Sequence, residues 1–435
     1  MNSSCKKKLT LCTLAFLGCN ALQPVAFAEI GRRSPSEKKI VVDPLTDISL
    51  TFLTSEPAGD SKIYQTHPQW TSDGQWLVFR SQRVPRQAFA VKEESGTILQ
   101  VTGGGYLGNL CVARRSMKLF VTRDASLLPN QGAVGGAVAA NSGATRNGGL
   151  SLLTTASRAQ SDHARASRPF QIVEIDLAAL FADSAKDAVK SADHYERVCG
   201  TLPAEMIASG NMSLDTDEGF AYIGIGGANL AEQLPPGIKP ADRFGPRGLG
   251  AGPNGLVSMN LKTGEVKSIA IVPFQIGHIQ GNPWVPGEIV FCWETGGKAP
   301  QRTWTVNADG TGLRPLYPET PYEWVTHEAI ITKDEVALAI LGHRPLGIGT
   351  TTSDPWGISG TREHPTGLAV FNLRTRELRL LAQTPTGRGL WHVHGSADGR
   401  WAVADDFDRN VYLIDRHNGE MKLLTAGHKE TAADH

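Results

Sequence analysis

Four histidines in this 435-residue chain, His67, His278, His327 and His392, stand where chemistry could gather, because each opens a strand-like segment. Two of them precede closely similar turns. His67-Pro-Gln-Trp-Thr-Ser-Asp73-Gly and His392-Val-His-Gly-Ser-Ala-Asp398-Gly both carry the His six positions before an Asp-Gly pair. Asn109 and Asn211 occupy the matching place in two further copies. If such copies surround one axis, their first residues meet in a shared polar funnel. Several imidazoles converging there can bind a divalent metal, since imidazole nitrogen suits manganese, iron or zinc. The plainer reading is that polar residues line a water-filled channel and each His hydrogen-bonds its neighbours. Both readings stand at this level. His394 shares a strand with His392 and faces the same side by the period of two, so it is either a ligand or blade packing. His343, His364, His417 and His428 fall in loops or turns, where solvated surface roles are the default.

The elements that must position these residues are short strands in a repeat. Weaker copies of the two segments start at Asn109, Asn211, His278 and His327, with His278 two positions earlier than the strict spacing. Each copy is followed by a second hairpin: Ala88–Val91 with Ile98–Thr102, Ile172–Asp176 with Tyr195–Cys199, Leu256–Leu261 with Val266–Ile271, Thr303–Asn307 with Leu313–Tyr317, Leu368–Leu373 with Glu377–Leu381, and Val411–Asp415 with Met421–Thr425. Lys262-Thr-Gly, Ala308-Asp-Gly and His417-Asn-Gly supply the turn chemistry that tight hairpins require. Unit starts lie roughly 40 to 50 residues apart outside inserted loops, which is the repeat of a propeller blade. The expected fold is all-β: a β-propeller of four-stranded blades whose first strands line the central channel. Six blades are evident. Asp47–Thr54 reads as a lone outer strand, of the kind that completes a last blade, yet the sixth unit is already complete at Thr425. Either the ring has six blades and this strand packs elsewhere, or a seventh blade is missing.

Lys plus Arg equals Asp plus Glu at 43 each, which leaves no net field for nucleic acid or an anionic membrane. Lys6-Lys-Lys8, the apolar run Leu9–Gly18 and Ala26-Phe-Ala28 have the three parts of a secretory signal peptide over residues 1–28. A periplasmic or secreted protein is expected, with no transmembrane span, since no stretch reaches about 18 apolar residues. Phe16-Leu-Gly-Cys19 loosely resembles a lipobox and opens the alternative of a lipid anchor on Cys19. Beyond the signal only Cys111, Cys199 and Cys292 remain, which indicates no disulfide framework and no zinc motif. Residues 29–46 read as a linker, and residues 47–435 as a single propeller domain. Within it Ser126–Arg168 is a long Gly/Ala/Ser-rich loop, Leu177–Ala192 a short helix, and Ala228–Asn254 and Gly342–Glu363 further long loops. Such loops commonly shape a binding face.

Gly277-His278, Pro286-Gly, Ile289-Val-Phe-Cys-x-Glu-x-Gly296, Arg302-x-Trp304-x-x-Asn-x-Asp-Gly-Thr311 and Val325-Thr-His327-Glu328 together resemble the corresponding run in oligogalacturonate lyases of polysaccharide lyase family 22. The likeness is specific over about fifty residues, continues more loosely into His392–Asp406, and is generic propeller in the first half. It implies a seven-bladed propeller, here with the last blade incomplete, that cleaves pectic oligosaccharides by β-elimination. That chemistry needs the uronate carboxylate neutralised and a base for the C5 proton. By the resemblance His278 is the base and His327 a ligand of a divalent metal, manganese by preference. The family's other ligands, a Gln and a His-x-His pair, would begin a seventh blade near Ala432–His435. Within the chain as it stands His67 and His392 would complete the set. The helper arginine of the family falls at Asn254 or Gly255, so Arg247 or Arg243 would substitute, with Arg302 as a further catalytic residue.

The function expected on this basis is a lyase acting on uronate-containing oligosaccharides. A lyase for another uronic polysaccharide, such as ulvan, is equally compatible, since substrate choice lies in the loops. From a different class stands a non-catalytic Tol-type binding propeller, which the His67 segment matches as well as any lyase. A propeller glycosidase would need paired inward carboxylates, and the inner positions are His and Asn.

Overall fold

Runs of alternating apolar residues, broken by Asp-, Asn- and Gly-bearing turns, fold into six four-stranded antiparallel sheets in chain order. They form a β-propeller in a computed structural model that describes residues 30–55, 59–84, 87–127, 170–243, 248–295, 299–320, 323–342, 366–387, 389–396 and 398–428. The signal segment with Cys19, the loop from 128 onward and most of the loop after Gly342 lie outside the described residues. The inner strands are Asp60–Lys62, Tyr106–Val112, Ile207–Leu214, Ile276–Gly281, Trp324–Thr332 and Leu390–Gly395. Six blades are present among the described residues, where the resemblance implied a seven-bladed type.

Blades hold together by apolar side chains shared between neighbours. One cluster joins the first and second blades through Val78, Leu99, Leu119 and Ile175. Others join the second to the third, the third to the fourth, the fourth to the fifth and the fifth to the sixth. Phe291, fully buried between the third and fourth blades, contributes on the order of 2 to 3 kcal/mol by leaving water. A single α-helix among the described residues, Leu177–Ala185, caps the second blade. Asp176 accepts from the Ala179 N–H at its N-terminus, and Phe181 stacks on Trp76 of the first blade.

The sixth and first blades are joined by polar contacts from the N-terminal segment. Within the stretch read as a linker, Arg33–Ser34 adds a fifth strand to the first blade, and Lys39–Val42 pairs with Ser49–Phe52. The lone outer strand expected at Asp47–Thr54 is thus half of a hairpin. Glu37 pairs with Arg83 of the first blade at 2.6 Å. Asp43 accepts from the Thr425 hydroxyl and the Ala426 N–H of the sixth, while the Thr46 hydroxyl donates to the Leu424 carbonyl. The Thr425 hydroxyl and the backbone N–H of Leu45 hold the Asp43 carboxyl down to about 2.

A carboxyl whose folded value is depressed stabilises the fold above its unfolded value, and that contribution is lost as pH falls through the folded one. Asp43→Asn should therefore lower the thermal midpoint at neutral pH. The gap between wild type and variant should close as the pH falls from about 4 to about 2. Circular dichroism melts across that range check this; a gap independent of pH contradicts it.

Candidate active site

The inner strand of the fourth blade pairs Gly277 with Cys292 and Gln280 with Val290, so three steps on one side oppose two on the other. The same mismatch recurs between Thr326 and Ala329 in the fifth blade and between Leu390 and Val393 in the sixth. Each is a β-bulge, a device that re-aims a side chain. His278 and His327 occupy the same bulge position, and both adopt left-handed backbone, φ 48° and 51°. That conformation costs a non-glycine residue about 1 to 2 kcal/mol. The expected two-position offset of His278 is corrected here: His278 shares its register with His327, and His392 stands one position later, level with Glu328.

The first blade departs from its sheet. Lys62 still pairs with Phe79 and Trp70 with Leu77, but residues 63–69 between them form a turn into the channel, closed by the His67 N–H on the Tyr64 carbonyl. The inner strand of this blade is therefore Asp60–Lys62 and not the His67 segment. Tyr64 reaches the centre, its ring centroid 4.5 Å from His278, 6.3 Å from His327 and 6.2 Å from His392. His67 faces the second and third blades beside Asn109 and Met212, with Nδ1 2.7 Å from the Thr66 hydroxyl. Burial, then the charge of His278, pushes its imidazole down to about 3, so it stays neutral. The bulge places His327 and His392 together, ring centroids 4.3 Å apart, without His67 among their ring contacts.

Around His278 lies a buried charge network. Its Nδ1 is 3.0 Å from Glu328 Oε1, and its Nε2 3.3 Å from Glu294 Oε2. Arg302 stands behind, with Nη2 3.4 Å from His278 Nδ1 and Nε 3.8 Å from Glu328 Oε2. Burial acts to raise Glu328, but the charge and hydrogen bond of His278, with Arg302, outweigh it and hold the carboxyl below its usual range. An ionised carboxylate only accepts; Nδ1, nearer its carboxylate at 3.0 Å than Nε2 is at 3.3 Å, is the nitrogen placed to donate when the ring carries a single proton. Gln280 fixes the same strand pair, donating to the Glu328 carbonyl and accepting from the Ile330 N–H. A Cβ at Gly277 would lie 2.8 Å from Glu294 Oε2 and 2.9 Å from Glu294 Cβ, so a larger residue there would displace the Glu294 side chain.

Two donor sets could hold a metal. His278, Cys292 and Glu294 offer atoms within 4.8 Å of one another. Burial, however, pushes the Cys292 thiol well above its ordinary value, and the Arg302 guanidinium beside it supplies positive charge to this cluster already. A fixed cation beside the donor atoms disfavours a second positive ion there. The His327–His392 pair fits better. His392 Nδ1 lies 2.9 Å from Asp405 and His327 Nδ1 3.2 Å from the Thr326 hydroxyl. Anchoring of one ring nitrogen is how metal-binding imidazoles are oriented, with the other facing the ion.

Of the other residues expected in the site, Arg247 lies outside the described residues and Arg243 is exposed. Tyr64, Glu294 and Asp405 complete a constellation that sequence reasoning assigned no role. Glu328 and Glu294 lay inside the quoted motif; Tyr64 gave no signal, because its place depends on the excursion of the first blade.

Replacing Glu328 by Gln leaves the Arg302 guanidinium buried without its partner charge, a loss of about 3 kcal/mol or more. Urea denaturation should show it, and Glu328→Gln combined with Arg302→Met should recover part of the loss. A Glu328→Gln variant as stable as wild type contradicts the network.

No protein-family model matches the sequence, and no curated relative matches it. Among solved structures, an oligogalacturonate lyase in complex with manganese is similar at 17% identity, over 91% of this chain and 86% of that one, with a TM-score of 0.62. An oligogalacturonate lyase from Vibrio parahaemolyticus is similar at 15% identity, over 92% and 87%, with a TM-score of 0.61. A puromycin-hydrolyzing peptidase of Mycobacterium tuberculosis shares 12% identity over 89% of this chain but 50% of its own, with a TM-score of 0.50. At these identities the likeness shows that the chain has the β-propeller fold of the oligogalacturonate lyases.

Proposed function

We propose that this chain is a lyase that cleaves uronate-containing oligosaccharides by β-elimination, with oligogalacturonate as its substrate. The observation that carries the reading is the channel constellation: His278 held at Nδ1 by buried Glu328, beside an imidazole pair, His327 and His392, suited to a divalent metal. The solved lyases of the same fold, one described with manganese, support it. The reading includes export to the periplasm or beyond by the segment 1–28.

Elimination across C4 and C5 asks for a base at the C5 hydrogen and neutralisation of the adjacent carboxylate. With Nδ1 protonated against Glu328, His278 presents Nε2 as the base. Glu294, 3.3 Å from that nitrogen, stabilises the imidazolium that forms. Arg302 is buried behind His278 and acts through Glu328, so it is a positioning residue. His327 and His392 would hold a divalent metal, manganese by analogy, whose charge would offset that of the uronate carboxylate. Asp405 and Thr326 fix the two rings for that task.

Incubation of the mature protein with oligogalacturonate and manganese should yield an unsaturated product seen as ultraviolet absorbance. His278→Ala should lower the rate by about 100-fold or more with an unchanged circular dichroism spectrum. No unsaturated product from oligogalacturonate or from any other uronate oligomer overturns the reading. In elemental analysis, His327→Ala and His392→Ala should each reduce bound manganese; unchanged metal content in both removes these ligands from the account.

A further inference from the structure

The excursion of residues 63–69 has a chemical consequence. It withdraws part of an inner strand from its sheet and sets one phenol against imidazoles from three other blades. Tyr64 is only partly buried, so its ring borders the open channel as well as the His278 ring. β-Elimination leaves one task that the base and the carboxylate-binding groups do not perform: the departing O4 must gain a proton. Of the groups packed against His278, a glutamate such as Glu328 is an acceptor at neutral pH and the Arg302 guanidinium does not give up its proton. Neither has a proton to give. A phenol carries its proton at neutral pH and can donate it, and the Tyr64 ring stands beside His278.

We propose that Tyr64 is the acid that protonates the leaving glycosidic oxygen, paired with His278 as the base. The inference rests on the lyase reading above. His278 Nε2 takes the C5 proton, and the C5–H electron pair becomes the C4–C5 double bond. The C4–O4 bond breaks with its pair on O4, which takes the phenolic proton. The phenolate then recovers the proton that His278 gained, directly or through solvent. The pair is reset without oxidant, reductant or co-reactant. The two rings stand side by side, with centroids 4.5 Å apart.

Tyr64→Phe tests this, because it keeps the ring and removes only the acid. Two substrates are compared: a 4-linked uronate disaccharide, whose alkoxide needs a proton, and a 4-deoxy-4-fluoro uronide, whose fluoride leaves without one. Disaccharide elimination should fall about 100-fold or more, while fluoride release should stay within about 3-fold of wild type. His278→Ala should lose both. An equal fall on both substrates makes Tyr64 a structural residue and overturns the proposal, as does a disaccharide rate unchanged in Tyr64→Phe. If the wild type eliminates neither substrate, the lyase reading fails and Tyr64 falls with it, an outcome distinct from either failure of Tyr64 alone.

Discussion

Inner strands of a propeller crowd around one axis, so an extra residue in any of them cannot loop outward; it must turn a side chain into the channel. That constraint governs this molecule. The fourth, fifth and sixth blades each carry the same bulge, and the strained backbone at His278 and His327 is its signature. Left-handed backbone at a non-glycine residue is costly and persists only where surrounding packing enforces it. Here the enforcement comes from the apolar clusters between the third and fourth and between the fourth and fifth blades, which lock the strands that the bulges interrupt. Packing between blades therefore supports the geometry at the axis.

The charge network follows from the same bulges. Glu328 is the second bulge residue of the fifth blade, and its carboxylate reaches His278 of the fourth. A carboxylate so deeply buried is tolerable only with a cation close by, and Arg302, just before the third strand of the fourth blade, provides one. Two neighbouring blades are thus tied electrostatically at the point where the chemistry is placed. Tyr64 is brought in by the first blade, and the N-terminal segment joins that blade to the sixth through Glu37 and Asp43. Residues far from the axis in this way hold the two blades that flank the Tyr64–His392 contact.

Most of the outer architecture was legible in the sequence. Thr303–Asn307, Val411–Asp415 and Met421–Thr425 fold as the strands their turns delimit, because tight hairpins are set by local chemistry. The inner strands were less legible. Counting back from the Asp-Gly turn assumes an unbroken ladder, and a bulge adds a residue that the count does not register. That is why His278 looked displaced from His327 and why His67 looked equivalent to His392. The hairpin partner of Ser49–Phe52 left a trace, Ile40-Val-Val42, in a stretch read as linker. Tyr64 could not be found by pattern, since a seven-residue excursion from a short polar strand has no periodicity. The histidines and the Glu residues of the motif were visible as residues; their pairing across blades was a tertiary fact.

The central claim is that the channel face of the fourth to sixth blades, with Tyr64, is where a uronate reacts. A crystal structure of the His278→Ala variant with manganese and a uronate oligosaccharide tests it most directly. The account predicts a sugar in the channel with its carboxylate toward His327 and His392, C5 toward position 278 and O4 toward Tyr64. A sugar bound on an outer blade surface, with these residues untouched, would contradict it.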